Sequence, residues 1–211
     1  MPIVFHNLSS YDAHFVLQFF SKEYTEYTTR MGTKAYADVV VILLNGEYNM
    51  LLKITNIVFV DWCQFLATSL DNLVKALRKS GIDMFVNTIR HFCSHDTYFE
   101  KGCYLYEYMT DESKLDETKL PPKSAFYNCL IGKELNDEQY ERAKQLWTKR
   151  GMTTLRDWHH FYLQLDVLLL IDVFEAFRHS MIDVHRLDCL HFPSLPSVML
   201  QLALMVTEVE L

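Results

Sequence analysis

The chain has 211 residues, half of them hydrophobic and 14% aromatic, enough for one domain of ordinary size with a real core, or one domain plus an appendage. Its formal net charge of −7 excludes a free-standing binder that neutralises many phosphates with a basic face, so contact with nucleic acid must be local or lean on a larger protein. Five cysteines without a C-x-x-C pair exclude a disulfide framework or a zinc ribbon and fit a reducing, intracellular compartment.

Met1–Phe5 is a short apolar run that predicts a strand, and His6-Asn7-Leu8-Ser9-Ser10 predicts a polar turn. Helical periodicity follows from Tyr11 through Phe20. Asp38–Leu44 and Glu47–Ile54 flank Asn45-Gly46, a pair that tolerates positive φ and predicts a hairpin; Asn56–Trp62 predicts the next strand. Ser69 opens a helix with Leu70, Leu73, Val74 and Leu77 on one face. The stretch from about Gly81 to Lys133 is turn-rich and mixes aromatics with charges; it reads as an irregular excursion from the core, too aromatic to be disordered. Asn136 and Gln139 predict a capping box for a helix to about Arg150, Gly151 breaks it, and a long helix runs from about Thr154 to the early 180s. The N-terminus lacks the regions of a signal peptide, and the apolar runs are too short to span a bilayer, so the chain is expected to be soluble with no membrane partner. A strand feeding a helix, then strands and helices, predicts an α/β fold with a mixed sheet flanked by helices.

Two carboxylates stand out. Tyr162, Asp166, Leu169, Val173 and Phe177 share one helical face, and an acid there is costly unless it is paired or binds a metal. Tyr162 lies one turn before Asp166, so phenol and carboxylate point the same way. Asp12 follows the first strand and its polar turn, at a sheet edge near a helix start. Carboxylates so placed are what a two-metal phosphodiesterase site uses. The plainer alternatives are that Asp12 favours the positive end of its helix and that Asp166 is a satisfied core acid. Ser69 is equally an N-cap, and Lys101 a solvated loop lysine. His91 and His95 present two imidazoles one turn apart with no third ligand near in sequence; His159 and His160 are expected on the exposed side of the long helix. The acids Asp111, Glu112, Asp116 and Glu117 are expected to form a solvated surface.

Four short motifs occur in order along the chain. Asn7-Leu8-Ser9-Ser10-Tyr11-Asp12 resembles the second exonuclease motif of family B DNA polymerases, and Tyr162-Leu163-Gln164-Leu165-Asp166 the third. Between them, Ser69-Leu70-Asp71-Asn72-Leu73 resembles the (S/T)-L-x-x-h motif and Lys101-Gly102-Cys103-Tyr104 the K-x-x-h motif of the protein-primed branch, and the surrounding texture is similar to the polymerases of Maverick/Polinton-type transposons and related viruses. The resemblance implies a ribonuclease-H-like 3′–5′ exonuclease domain over residues 1–192, with 193–211 as a degenerate start of a polymerase domain. Under it, Asp12 and Asp166 would be metal ligands for Mg²⁺ or Mn²⁺, and Tyr162 would orient the attacking water. Lys101 would approach the scissile phosphate, and Asn7, Tyr11, Ser69 and Leu70 would hold the single-stranded 3′ end of DNA. The parent enzyme would be a DNA-directed DNA polymerase whose partners include a terminal protein primer, in the nucleus if eukaryotic.

The same resemblance marks departures. The family's first exonuclease motif, D-x-E, occurs nowhere in the chain, nor do the paired palm aspartates of the polymerase motifs. The first strand of the fold is therefore expected to be missing. Trp62 stands where the family usually has a small polar residue, and Leu105 where it has proline. The expectation is a fragment of a polymerase gene that is inactive alone; the alternative is a non-catalytic remnant that binds single-stranded DNA weakly or associates with proteins.

Overall fold

Apolar runs rich in β-branched residues become strands wherever neighbours can share their backbone hydrogen bonds. A computed structural model describes residues 2–6, 39–44, 49–54, 57–92, 96–129 and 132–207 of the chain. It divides into two compact units, Met1–Ser69 with Phe174–Leu211, and Leu70–Val173.

The first unit contains a mixed sheet of strands β1 (Pro2–Phe5), β2 (Val39–Leu44), β3 (Asn49–Ile54) and β4 (Ile57–Asp61), in the order β1-β4-β3-β2 among the described residues. β1 runs parallel to β4, from Pro2 beside Val58 to Phe5 beside Asp61. β2 and β3 pair antiparallel from Val39 against Ile54 to Leu44 against Asn49, and β3 pairs antiparallel with β4. The expected runs thus form one sheet, each within a residue or two of its predicted bounds. Pro2 opens an edge strand among the described residues, where its missing N–H costs little. The helix expected over Tyr11–Phe20 and the turn at Asn45-Gly46 lie outside the described residues.

Trp62 follows β4 immediately and is fully buried. Its ring lies 5.4 Å from Phe65, 4.8 Å from Phe174 and 5.0 Å from Phe177, the last two edge-on. The departure noted at this position therefore fills the core of the first unit. Asp61 beside it accepts from the Cys63 amide and starts the short turn after the strand. Farther along, Arg178 grips Asp188 with two parallel bonds, Nε to Oδ1 at 2.9 Å and Nη2 to Oδ2 at 2.6 Å.

The second unit contains helices α1 (Leu70–Ser80), α2 (Val86–Phe92) and α3 (Asp137–Lys149) with the N-terminal part of α4 (Leu155–His185); α5 (Leu195–Thr207) belongs to the first. α3 begins with the predicted capping box, Asn136 accepting from Gln139 N while the Gln139 side chain accepts from Asn136 N. Gly151 ends the link at φ +61°, a conformation that glycine adopts without a Cβ penalty. α4 buries Leu155, Trp158, Phe161, Tyr162, Leu165 and Leu169, a helical stripe. The excursion is more regular than expected, since it carries α2 and short 3-10 turns, and it is well packed. Phe85 and Phe99 are fully buried, Phe126 and Leu105 nearly so, and Tyr140 donates to the Pro121 carbonyl. Its acids lie at the surface, Asp116 paired with exposed Arg156 and Glu117 with Lys114.

One member of the α4 stripe is charged. Asp172 is 2% exposed and accepts from Asn87 N at 2.8 Å, Asn87 Nδ2 at 2.9 Å and Thr88 N at 3.0 Å. α2 begins just after Phe85, a residue with no side-chain acceptor, so a carboxylate from another helix supplies the missing cap. Asp172→Ala would leave those donors buried without a partner; urea unfolding is expected to show a loss of about 2–3 kcal/mol. A loss below about 0.5 kcal/mol would contradict this account.

Candidate functional site

α4 presents Tyr162 and Asp166 one turn apart, and the segment Lys101–Tyr106 of the excursion lies along them. All belong to the second unit. Lys101 Nζ stands 3.9 Å from Asp166 Oδ1, with each side chain about a third exposed. At that distance the charges attract but no hydrogen bond fixes them, so the pair contributes about 1 kcal/mol at most. The ammonium can turn toward another anion.

The next residue sets the spacing. A Cβ on Gly102 would lie 3.0 Å from Tyr162 Cδ2 and 3.7 Å from Leu165 Cδ2, so the backbone approaches α4 only because that residue is glycine. Tyr162 is 7% exposed. Its hydroxyl meets that of Tyr106 at 2.8 Å, and its ring lies 4.7 Å from the Tyr104 ring. Burial, then the negative charge of Asp166, then the bond to Tyr106 push the Tyr162 phenol well above its ordinary range. It therefore stays protonated, fit to orient a ligand by hydrogen bonding and unfit to act as a base. Tyr104 in turn bonds His159 Nδ1 at 2.6 Å. Of the two histidines expected on the exposed side of the helix, His160 is exposed, whereas His159 is half-buried and engaged; its pKa is lowered by burial, then by His160 and Arg156 beside it.

Sequence reasoning placed Lys101, Tyr162 and Asp166 in one site, and the second unit brings them together. Asn7, Tyr11 and Asp12 lie outside the described residues. Ser69 is exposed immediately before α1, and Leu70 is 2% exposed, a core residue of that helix. His91 is exposed, and His95 lies outside the described residues. Missed were Tyr106, His159 and Arg142. The first could have been found from the alternation Tyr104-x-Tyr106, which points two phenols the same way along an extended segment. Arg142 carried no motif signal. It is half-buried on α3 and donates to the backbone on which Lys101 stands.

Burial also pushes the Cys103 thiol up to about 11. An unfolded thiol ionises near 9.0, so above that pH the unfolded chain binds fewer protons than the folded one. Stability is thus expected to be insensitive to this group below pH 9.0 and to fall as pH rises from there to about 11. Urea midpoints across that range check the slope, and Cys103→Ala should flatten it. Gly102→Ala is expected to cost about 1–3 kcal/mol, because the Tyr162 ring it would meet is held on two sides; a neutral result in the same assay would show the ring free to yield.

Comparison with curated proteins gives no match, and neither does comparison with solved structures. The family model described as DNA polymerase type B, organellar and viral, matches residues 1–205. Family B polymerases act on DNA and generally use divalent metals. With nearly all of its length matched, the chain belongs to the type B DNA polymerases of organelles and viruses.

Proposed function

We propose that the chain is the 3′–5′ exonuclease part of such a polymerase, of ribonuclease-H-like fold, derived from a protein-primed enzyme of the Maverick/Polinton type. Its ancestral reaction is hydrolysis of the terminal phosphodiester of single-stranded DNA. The observation that supports this most is the meeting of Lys101 with Tyr162 and Asp166, both more than fifty residues farther along the sequence. A mixed sheet with a parallel β1/β4 pair is compatible with the fold.

The roles follow from the chemistry of each group. Asp166 offers hard oxygen donors, which fit Mg²⁺ or Mn²⁺, on a half-buried side chain whose Oδ1 is itself buried, and Asp12 would complete the pair of ligands. When bound, the ions supply an activated water and stabilise the leaving oxygen. The protonated Tyr162 hydroxyl, steadied by Tyr106, orients the attacking water. Lys101, loosely paired with Asp166, turns to the scissile phosphate as a compact cation. Asn7, Tyr11 and Ser69 hold the 3′ end by stacking and hydrogen bonding without reading sequence, and Leu70 supports Ser69 from the core. In the parent enzyme a polymerase domain and a terminal protein primer complete the assembly.

A second reading is favoured by one sequence fact, the absence of any D-x-E triplet. Two ions held close together need more carboxylates than Asp12 and Asp166 provide, so the chain alone is a non-catalytic remnant with weak affinity for single strands. Release of nucleotides from a 3′-labelled oligonucleotide with Mg²⁺ or Mn²⁺ separates the readings. Background rates are expected for this chain. Robust release that Asp166→Ala abolishes would instead establish it as a working exonuclease.

A further inference from the structure

α3 contributes nothing to the motifs of the site, yet it holds the loop that carries Lys101. Arg142 projects from α3 with a side chain 15% exposed. Its guanidinium donates to Thr97 O from Nε at 3.1 Å and from Nη2 at 2.6 Å, to Glu100 O from Nη2 at 2.8 Å, and to Lys101 O from Nη1 at 3.1 Å. Glu100 faces the same group at 3.7 Å and also pairs with Arg78 of α1, so one carboxylate is shared by two guanidinium groups. Residues 101–105 form neither helix nor strand, so their carbonyls and those just before them need donors from elsewhere. One planar fork serves the carbonyls of Thr97, Glu100 and Lys101 with four hydrogen bonds, one more than the three donors of an ammonium. The last is the carbonyl of Lys101 itself, and the next residue is Gly102, which touches the Tyr162 ring.

We propose that Arg142 is a positioning residue: by clamping the carbonyls of Thr97, Glu100 and Lys101 it sets the Lys101 ammonium beside Asp166 and in reach of a DNA phosphate. The inference rests on the exonuclease reading of Lys101. It assigns Arg142 no contact with DNA.

Two measurements on the full chain test it. Binding of a fluorescent oligothymidylate is followed against salt concentration, where each phosphate contact on a single strand contributes about 0.7 to the slope. Lys101→Ala is expected to remove about one such contact. Arg142→Lys, which keeps the buried charge but loses the fork, is expected to remove the same amount, and the double variant no more. Hydrogen exchange followed by mass spectrometry reads the loop without DNA. Peptides covering 97–103 should exchange about tenfold faster in Arg142→Lys while those of α4 keep their protection. Arg142→Gln serves as a second variant. Loop exchange at the wild-type rate in both variants, or an Arg142→Lys loss that adds to that of Lys101→Ala, overturns the positioning role. A Lys101→Ala slope equal to wild type overturns the phosphate role of Lys101, and the inference with it, even where the loop has loosened.

Discussion

A carboxylate as deeply buried as Asp172 persists only because three N–H donors of Asn87 and Thr88 converge on it. The bonds run from the start of α2 to the middle of α4, so they fix the short helix on the long one and satisfy a helix start that its own sequence leaves uncapped. The rest of the second unit builds on that junction. Phe85 and Phe99 close over its start, and Phe92 packs on Tyr98 and Phe161 at the other end of α2. Arg150 lies over the Phe92 and Phe161 rings. The face of α4 that bears Tyr162 and Asp166 is thereby held firm.

The site shows the same economy of polar groups. Arg142 spends its donors on backbone carbonyls, Tyr162 its hydroxyl on Tyr106, and Tyr104 its hydroxyl on His159. What stays adjustable is the Lys101 ammonium, 3.9 Å from Asp166 Oδ1. The groups around the pair are held by hydrogen bonds, while Lys101 meets Asp166 only at ion-pair distance. That division is what preorganisation requires, since a ligand then has little left to order when it binds.

Much of this was legible in the sequence, for identifiable reasons. The strands announced themselves through dense β-branched runs, and the start of α3 through Asn136 and Gln139, signals that depend on neighbours only a few residues away. Tyr162 and Asp166 were legible through helical spacing, and Lys101 only through the motif it resembles. Asp172 was not read, although it stands three residues after Leu169 and seven after Leu165 on the buried stripe, where the periodicity calls for an apolar side chain. Its partners are more than eighty residues upstream, and no local pattern announces them. Arg142 was hidden for a different reason: its partners are backbone carbonyls, which leave no trace in the identity of the residues that own them.

The two departures from the family pattern bear on packing. Trp62 and Leu105 are both buried, at 0% and 1% exposure, and each is accommodated: Trp62 by three aromatic rings, Leu105 in a turn whose carbonyl accepts from Tyr108 and Met109. Large side chains forced into a core that does not fit them cost about 1–3 kcal/mol each, a large share of the stability of a single domain. The rings around Trp62 match its shape but leave its indole Nε1 buried without a hydrogen-bond partner among the described residues, a cost of about 1–3 kcal/mol that the aromatic packing must offset.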